Sequence, residues 1–256
     1  MLRLPDLDQS FLHLLLLFAA VGFFAQLVDG ALGMAYGVLS TTVLLAFGVP
    51  PAAASASVHT AEVFTTGASG TSHILHKNIE WRLFLILAPA GVIGGVAGAY
   101  LLAGIDGDVI RPFITVYLGL IGVYMLIRAF GTVPSRRISG WFALPLGGVG
   151  GFIDAIGGGG WGPVVTSSLI GAGGAPRYVI GTVNTAEFLV TVAISTTFIV
   201  ALITGHWQDA LAIGDYAGAV AGLVIGGLCA APLAGWVVRI APRRVLTVLV
   251  GLLVVS

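Results

Sequence analysis

Two polar tetrads interrupt strongly apolar stretches of the chain: His59-Thr60-Ala61-Glu62 and Asn184-Thr185-Ala186-Glu187. An ionisable side chain at the centre of an apolar helix costs about 3 kcal/mol unless it is paired, protonated or turned towards water. Glu62 and Glu187 therefore need a reason to be there. Two readings stay open: a proton or substrate site between helices, or a capped or protonated carboxyl that bonds a neighbouring helix. A carboxyl in such surroundings can also take up and release a proton, which makes both glutamates candidate proton carriers. His59 stands where the second tetrad has Asn184, an asymmetry that gives one tetrad a proton-sensitive group or only a different bond to a neighbouring helix. Thr60, Thr185 and Asn184 add hydroxyl and amide groups able to hold a ligand.

Upstream of each tetrad lies an aspartate followed by a glycine-rich break. Asp29 and Asp154 are placed to cap the free amides of the next helix. The glycines offer a different chemistry, because unwound backbone at a helix N-terminus presents N–H donors and partial positive charge to an anion. Gly33 in the first break, and Gly157, Gly158, Gly159, Gly160 and Trp161 in the second, are the candidate substrate-binding residues. Helix packing competes as a role for any membrane glycine, and it is the reading for Gly91, Gly94, Gly95, Gly98, Gly226 and Gly227. The hydroxyls of Ser69, Thr71, Ser72, Ser195, Thr196 and Thr197 offer a weaker case for an anion path. Arg177 is either a surface residue or a substrate partner, depending on whether its turn dips into the membrane.

These features come in pairs because the chain is written twice. Residues 29–66 align with 154–191 without a gap, and twelve of the 38 paired positions are identical. They include Asp29/Asp154, Gly33/Gly158, Gly37/Gly162, Thr41/Thr166, Gly48/Gly173, Pro51/Pro176 and the Thr-Ala-Glu of both tetrads. The elements that carry them are membrane helices. The chain is 57% hydrophobic and 9% charged with a mean hydropathy of +1.05, whereas a soluble domain carries roughly a quarter charged residues. The long apolar runs lack the alternating polarity of barrel strands. Balanced charge gives no indication of nucleic-acid binding, and the lone Cys229, read as inert packing inside an apolar stretch, allows neither an intrachain disulfide nor a cysteine metal cluster. The N-terminal residues lack the basic region and cleavage site of a signal peptide.

Five hydrophobic segments read out in each half: 12–28, 33–48, 53–75, 83–103 and 109–127, then 141–156, 158–172, 178–204, 210–238 and 245–255. The second of each set is short and glycine-rich, as a broken or half-spanning helix would be. Counting every segment as a crossing puts Lys77, Arg82, Arg128, Arg136, Arg137, Arg177, Arg239, Arg243 and Arg244 on one side, and only Arg3 and Arg111 on the other. The basic side is cytoplasmic by the positive-inside rule, so both termini are expected outside. Trp81, Trp141, Trp207 and Trp236 fall at segment ends, as interfacial anchors do. The expected fold is an all-α polytopic membrane protein of two inverted-topology repeats, residues 1–130 and 141–256, joined by a cytoplasmic linker over 131–140. A re-entrant hairpin in place of segments two and three keeps the same sides and stays open.

The paired breaks, with Gly-Val-Pro-Pro-Ala-Ala-Ala-Ser-Ala-Ser-Val-His-Thr-Ala-Glu in one half and Ala-Pro-Arg-Tyr-Val-Ile-Gly-Thr-Val-Asn-Thr-Ala-Glu in the other, resemble the TauE/SafE sulfite exporter family. The resemblance runs from about residue 15 to 255. It implies a multi-pass protein of a bacterial-type cytoplasmic membrane that moves sulfite, a sulfonate or a related organosulfur anion, in a direction the resemblance leaves open. The residues agree with a secondary carrier, since no Walker motif is present to drive transport. Proton coupling through Glu62, Glu187 or His59 is the expectation, with an anion channel as the alternative. An intramembrane enzyme is disfavoured, because the chain has no His-Glu-x-x-His run and no Gly-x-Ser-x-Gly elbow. The expected partners are a small anionic substrate and the lipid bilayer, with no cofactor or metal; the oligomeric state is left open.

Overall fold

A computed structural model describes residues 9–128, 138–207, 216–240 and 243–255. The helices run in chain order as α1 (Gln9–Leu32), α2 (Tyr36–Ala46), α3 (Pro51–Leu75), α4 (Trp81–Ala103), α5 (Gly107–Arg128) and α6 (Gly140–Gly157). A π-helical turn, Trp161–Thr166, then leads into α7 (Ser167–Gly171), followed by α8 (Pro176–Ile203), α9 (Ala217–Ile240) and α10 (Arg243–Val255). Among the described residues there is no strand. The protein is an all-α, multi-pass membrane protein: α1, α4, α5, α6 and α8 are each long and apolar enough to cross a bilayer. Of the 131–140 linker, residues 131–137 lie outside the described residues, as do Arg3, Arg136 and Arg137 and the side chains of Arg128, Arg239, Arg243 and Trp236.

The short helices follow from the punctuation around them. Gly33 and Gly158 take φ of +69° and +64°, a left-handed conformation that costs any residue with a Cβ, and there the chain reverses. Gly48 and Gly173 do the same at the far ends, with φ of +85° and +101°. Pro51 and Pro176, each at the first position of the next helix, supply a preset φ where no amide is needed. Between these signals α2 has only 11 residues, about 16 Å at 1.5 Å per residue, or half of a bilayer's roughly 30 Å core. α1 and α2 form an antiparallel hairpin, with Phe18 edge-on to Phe47 at 5.8 Å and the reversal at Gly33. The chain from α6 to α7 makes a second hairpin that reverses at Gly158 and brings Gly150 against Val165.

The two hairpins approach from opposite ends of α3. Pro51 begins α3 at the base of the first, while the turn after Leu75 is held by Arg177 at the base of the second. Their tips meet. Thr41 Oγ1 donates to the carbonyl of Gly158, and Thr166 Oγ1 donates to the carbonyl of Gly33 at 3.1 Å. Gly37 abuts Gly159, and Gly162 abuts Met34. Each hairpin's first helix packs on the fourth helix of the other half, α1 on α9 and α6 on α4, at distances only glycine permits. A Cβ on Gly226 would strike the Ala19 carbonyl, and one on Gly94 the Gly148 carbonyl. The packing role expected for Gly91, Gly94, Gly95, Gly98, Gly226 and Gly227 is what the structure has, with Gly91 and Gly95 taking Trp161 and Ile194.

Two expectations need correction. Trp207 is not an exposed anchor. The turn after α8 folds back, with Trp207 N bonded to Ala201 O, and the ring is 5% exposed beside Phe198. Trp81 and Trp141 are exposed, as anchors are. Cys229 faces outward instead of packing inside.

Candidate functional site

Where the hairpin tips cross, they leave a small, narrow cavity. Its walls come in matched pairs from the two halves: Asp29 and Asp154, Ala35 and Gly160, Gly37 and Gly162, Val38 and Pro163, Glu62 and Glu187, with Gly159 as the odd member. α3 and α8 contribute the glutamates near their midpoints, at positions one turn past the buried Val58 and Val183 that anchor these helices in the core.

Both aspartates cap across a break. Asp29 Oδ1 accepts from the amides of Ala35 at 2.8 Å and Tyr36 at 3.3 Å, and Asp154 Oδ1 from Gly160 at 2.6 Å and Trp161 at 2.9 Å. A carboxylate from the preceding helix thus neutralises the positive end of the restarted one. The aromatic residue that opens each restarted segment then pins it from the other side, Tyr36 OH to Leu223 O at 2.9 Å and Trp161 Nε1 to Val183 O at 3.0 Å.

The two tetrads differ at their first position. His59 Nδ1 lies 2.7 Å from the Ser55 carbonyl, which can only accept, so Nδ1 carries a hydrogen. His59 Nε2 lies 3.2 Å from Asp154 Oδ2, and that approach needs a hydrogen on one atom or the other. The pair has no equivalent at Asp29, because Asn184 turns to Ser69, whose hydroxyl donates to its Oδ1.

Glu62 lines the cavity with a buried oxygen left without compensation. It is 2% exposed, its Oε1 faces Gly37, and among the described residues no donor reaches its Oε2. Buried polar atoms nearly always find partners, so an exception at a cavity marks a place where something else binds. Among the described residues, no group of three His, Cys, Asp or Glu side chains converges as metal ligands do.

Of the residues the sequence singled out, Asp29, Asp154, Glu62, Glu187, Gly159 and Gly160 line the cavity. His59 stands behind Asp154. Thr60 bonds Ala56 O, and Thr185 bonds Gly181 O, each within its own helix. Gly33, Gly157, Gly158 and Trp161 build the breaks without lining the cavity; Tyr117 of α5 fills the space beside Gly157 and Gly160. Arg177 is at the surface, donating to Asn78 Oδ1 at 2.6 Å and His76 O at 3.1 Å. The hydroxyls of Thr71, Thr196 and Thr197 bond backbone carbonyls of their own helices. The sequence passes over Ala35, Gly37 and Val38, although the Gly37/Gly162 identity, one turn past each break, is the available signal; Gly162 and Pro163, which follow the glycine run, also line the cavity.

Residues 18–256 match the model of the sulfite exporter TauE/SafE family. The chain is 44% identical over 247 residues to a probable membrane transporter protein, YtnM, of Bacillus subtilis, covering 93% of this chain and 79% of that protein. No solved structure matches it.

Proposed function

The chain belongs to the sulfite exporter TauE/SafE family and is a membrane transporter, and from that premise we propose that it carries a small sulfur-containing anion as a proton-coupled secondary transporter. The cavity at the crossed hairpin tips is the substrate site. Glu62, with an oxygen buried and unpartnered in that cavity, is the observation that carries the reading. A permanently ionised Glu62 would repel an anion there. Both can occupy the cavity when the carboxyl carries a proton, which couples the two ligands. Glu187 faces the same space and is a second proton carrier. His59 serves by offsetting the charge of Asp154, so that the capping carboxylate does not repel substrate.

The halves act as inverted repeats. Opposed hairpins with reciprocal Thr41–Gly158 and Thr166–Gly33 bonds support this reading, because such pairs can exchange an opening at one end for an opening at the other. The membrane is a bacterial-type cytoplasmic one, with both termini outside. Contacts between loops favour the predicted sides: Arg177 joins the turn of Lys77, and Arg111 reaches Leu45 O near the opposite turn.

Reconstitution in liposomes tests the proposal. Labelled sulfite and a labelled small sulfonate are offered with and without a pH gradient. Saturable flux of one anion that rises with the gradient is expected; flux linear in concentration and indifferent to the gradient would mean a channel.

A further inference from the structure

The capping aspartates leave a specific remainder at the start of α2. A helix opens with four amides that have no partner within it. In α2 the amides of Ala35 and Tyr36 go to Asp29, and the helical ladder starts with Leu39 N to Ala35 O at 3.0 Å. The amides of Gly37 and Val38 remain, and both residues line the cavity. The opposing segment is poorer. Asp154 takes Gly160 and Trp161, and Pro163 has no amide to offer, which leaves Gly162 alone there with an amide at the cavity. Two of these three donors are on the α2 wall, which is also the wall that Glu62 faces, since a Cβ built on Gly37 would stand 2.9 Å from Glu62 Oε1.

Resting on the carrier reading above, we infer that the first turn of α2 binds an oxyanion headgroup through the Gly37 and Val38 amides while the carboxylic acid of Glu62 donates a hydrogen bond to the same headgroup. Backbone amides at a helix N-terminus suit the oxygens of a sulfite or sulfonate, and glycine at 37 lets the headgroup reach the backbone. The Glu62 proton is then itself a ligand of the anion. The ionisable groups around Glu62 are Asp29 on α1, Tyr36 on α2, Asp154 on α6 and Glu187 on α8, with Tyr117 of α5 beyond Gly160 and His59 of α3 paired to Asp154. None of these is a cation free to balance an incoming anion, and a proton on Glu62 removes the carboxylate charge that would repel it.

Binding of methanesulfonate, whose charge does not change near neutral pH, tests the assignment on purified protein between pH 5.5 and 8.5. Val38→Pro removes one amide and mimics Pro163 in the other half, and Glu62→Gln keeps a donor but removes the proton. Melting curves establish that each variant is folded. The expected results are wild-type affinity that weakens as pH rises, E62Q affinity that depends less steeply on pH, with Glu187 the remaining proton carrier, and V38P affinity about tenfold or more weaker at every pH. An E62Q protein with wild-type pH dependence, or a V38P protein with wild-type affinity, would overturn the site and leave the carrier reading standing. If folded wild-type protein binds neither methanesulfonate nor sulfite, both fall together.

Discussion

His59 Nε2 of α3 and Asp154 Oδ2 of α6 meet at 3.2 Å, a buried bond that joins the first half of the chain to the second. Removing one partner of such a pair strands the other, at about 3–5 kcal/mol. His59→Ala and Asp154→Asn are each expected to lower the melting temperature strongly, and the double variant to lose less than the sum. Denaturation of all four proteins in one detergent gives the cycle; additivity within about 0.5 kcal/mol would mean the pair contributes no coupling.

The same aspartates hold the restarted helices. Asp29→Ala frees the amides of Ala35 and Tyr36 and is expected to cost about 0.5–2 kcal/mol, whereas Asp29→Asn keeps an acceptor oxygen and loses less. Equal melting temperatures for the two variants would contradict a capping role.

At the crossing of the hairpins, Thr41→Val and Thr166→Val each delete one of the reciprocal bonds and should cost about 1 kcal/mol. Gly158→Ala should cost more, because φ is +64° there, a conformation that costs a residue with a Cβ about 1–2 kcal/mol, and the new methyl meets Thr41 and Ser55. Thermal melts that rank G158A no worse than T41V would contradict this account of the tip.

Between halves the decisive contacts are glycine on backbone. Gly226→Leu places atoms on the Ala19 carbonyl and is expected to abolish a monodisperse peak in size-exclusion chromatography. Gly119→Leu, where nothing lies within 4 Å, should leave that peak unchanged. Similar profiles for the two would show that α1 and α9 do not need close approach.

The helices were legible because apolar runs and Gly/Pro punctuation are local signals. The ten expected segments match the observed elements, apart from the start of α9, where residues 208–215 lie outside the described residues. The capping by Asp29 and Asp154 was legible too, since an acid before a glycine break has few other uses. The bonding of amides was not. The sequence offers 157–160 as anion donors, yet the Gly160 amide is taken by Asp154, and the amides left over at the cavity include the adjacent pair of Gly37 and Val38, one turn further on in the other half. His59 was legible as an oddity but not as the partner of Asp154, which lies 95 residues away. Trp207 was misplaced because position at a segment end does not reveal a turn that folds inward.

The central claim is that anion and proton move together through the cavity that Glu62 and Glu187 line. The most direct measurement loads proteoliposomes with a pH-sensitive dye and imposes an inward methanesulfonate gradient. The account predicts that the lumen acidifies as the anion enters, and that neither E62Q nor E187Q reproduces the wild-type ratio of protons to anion. Anion uptake with no change in luminal pH would contradict it.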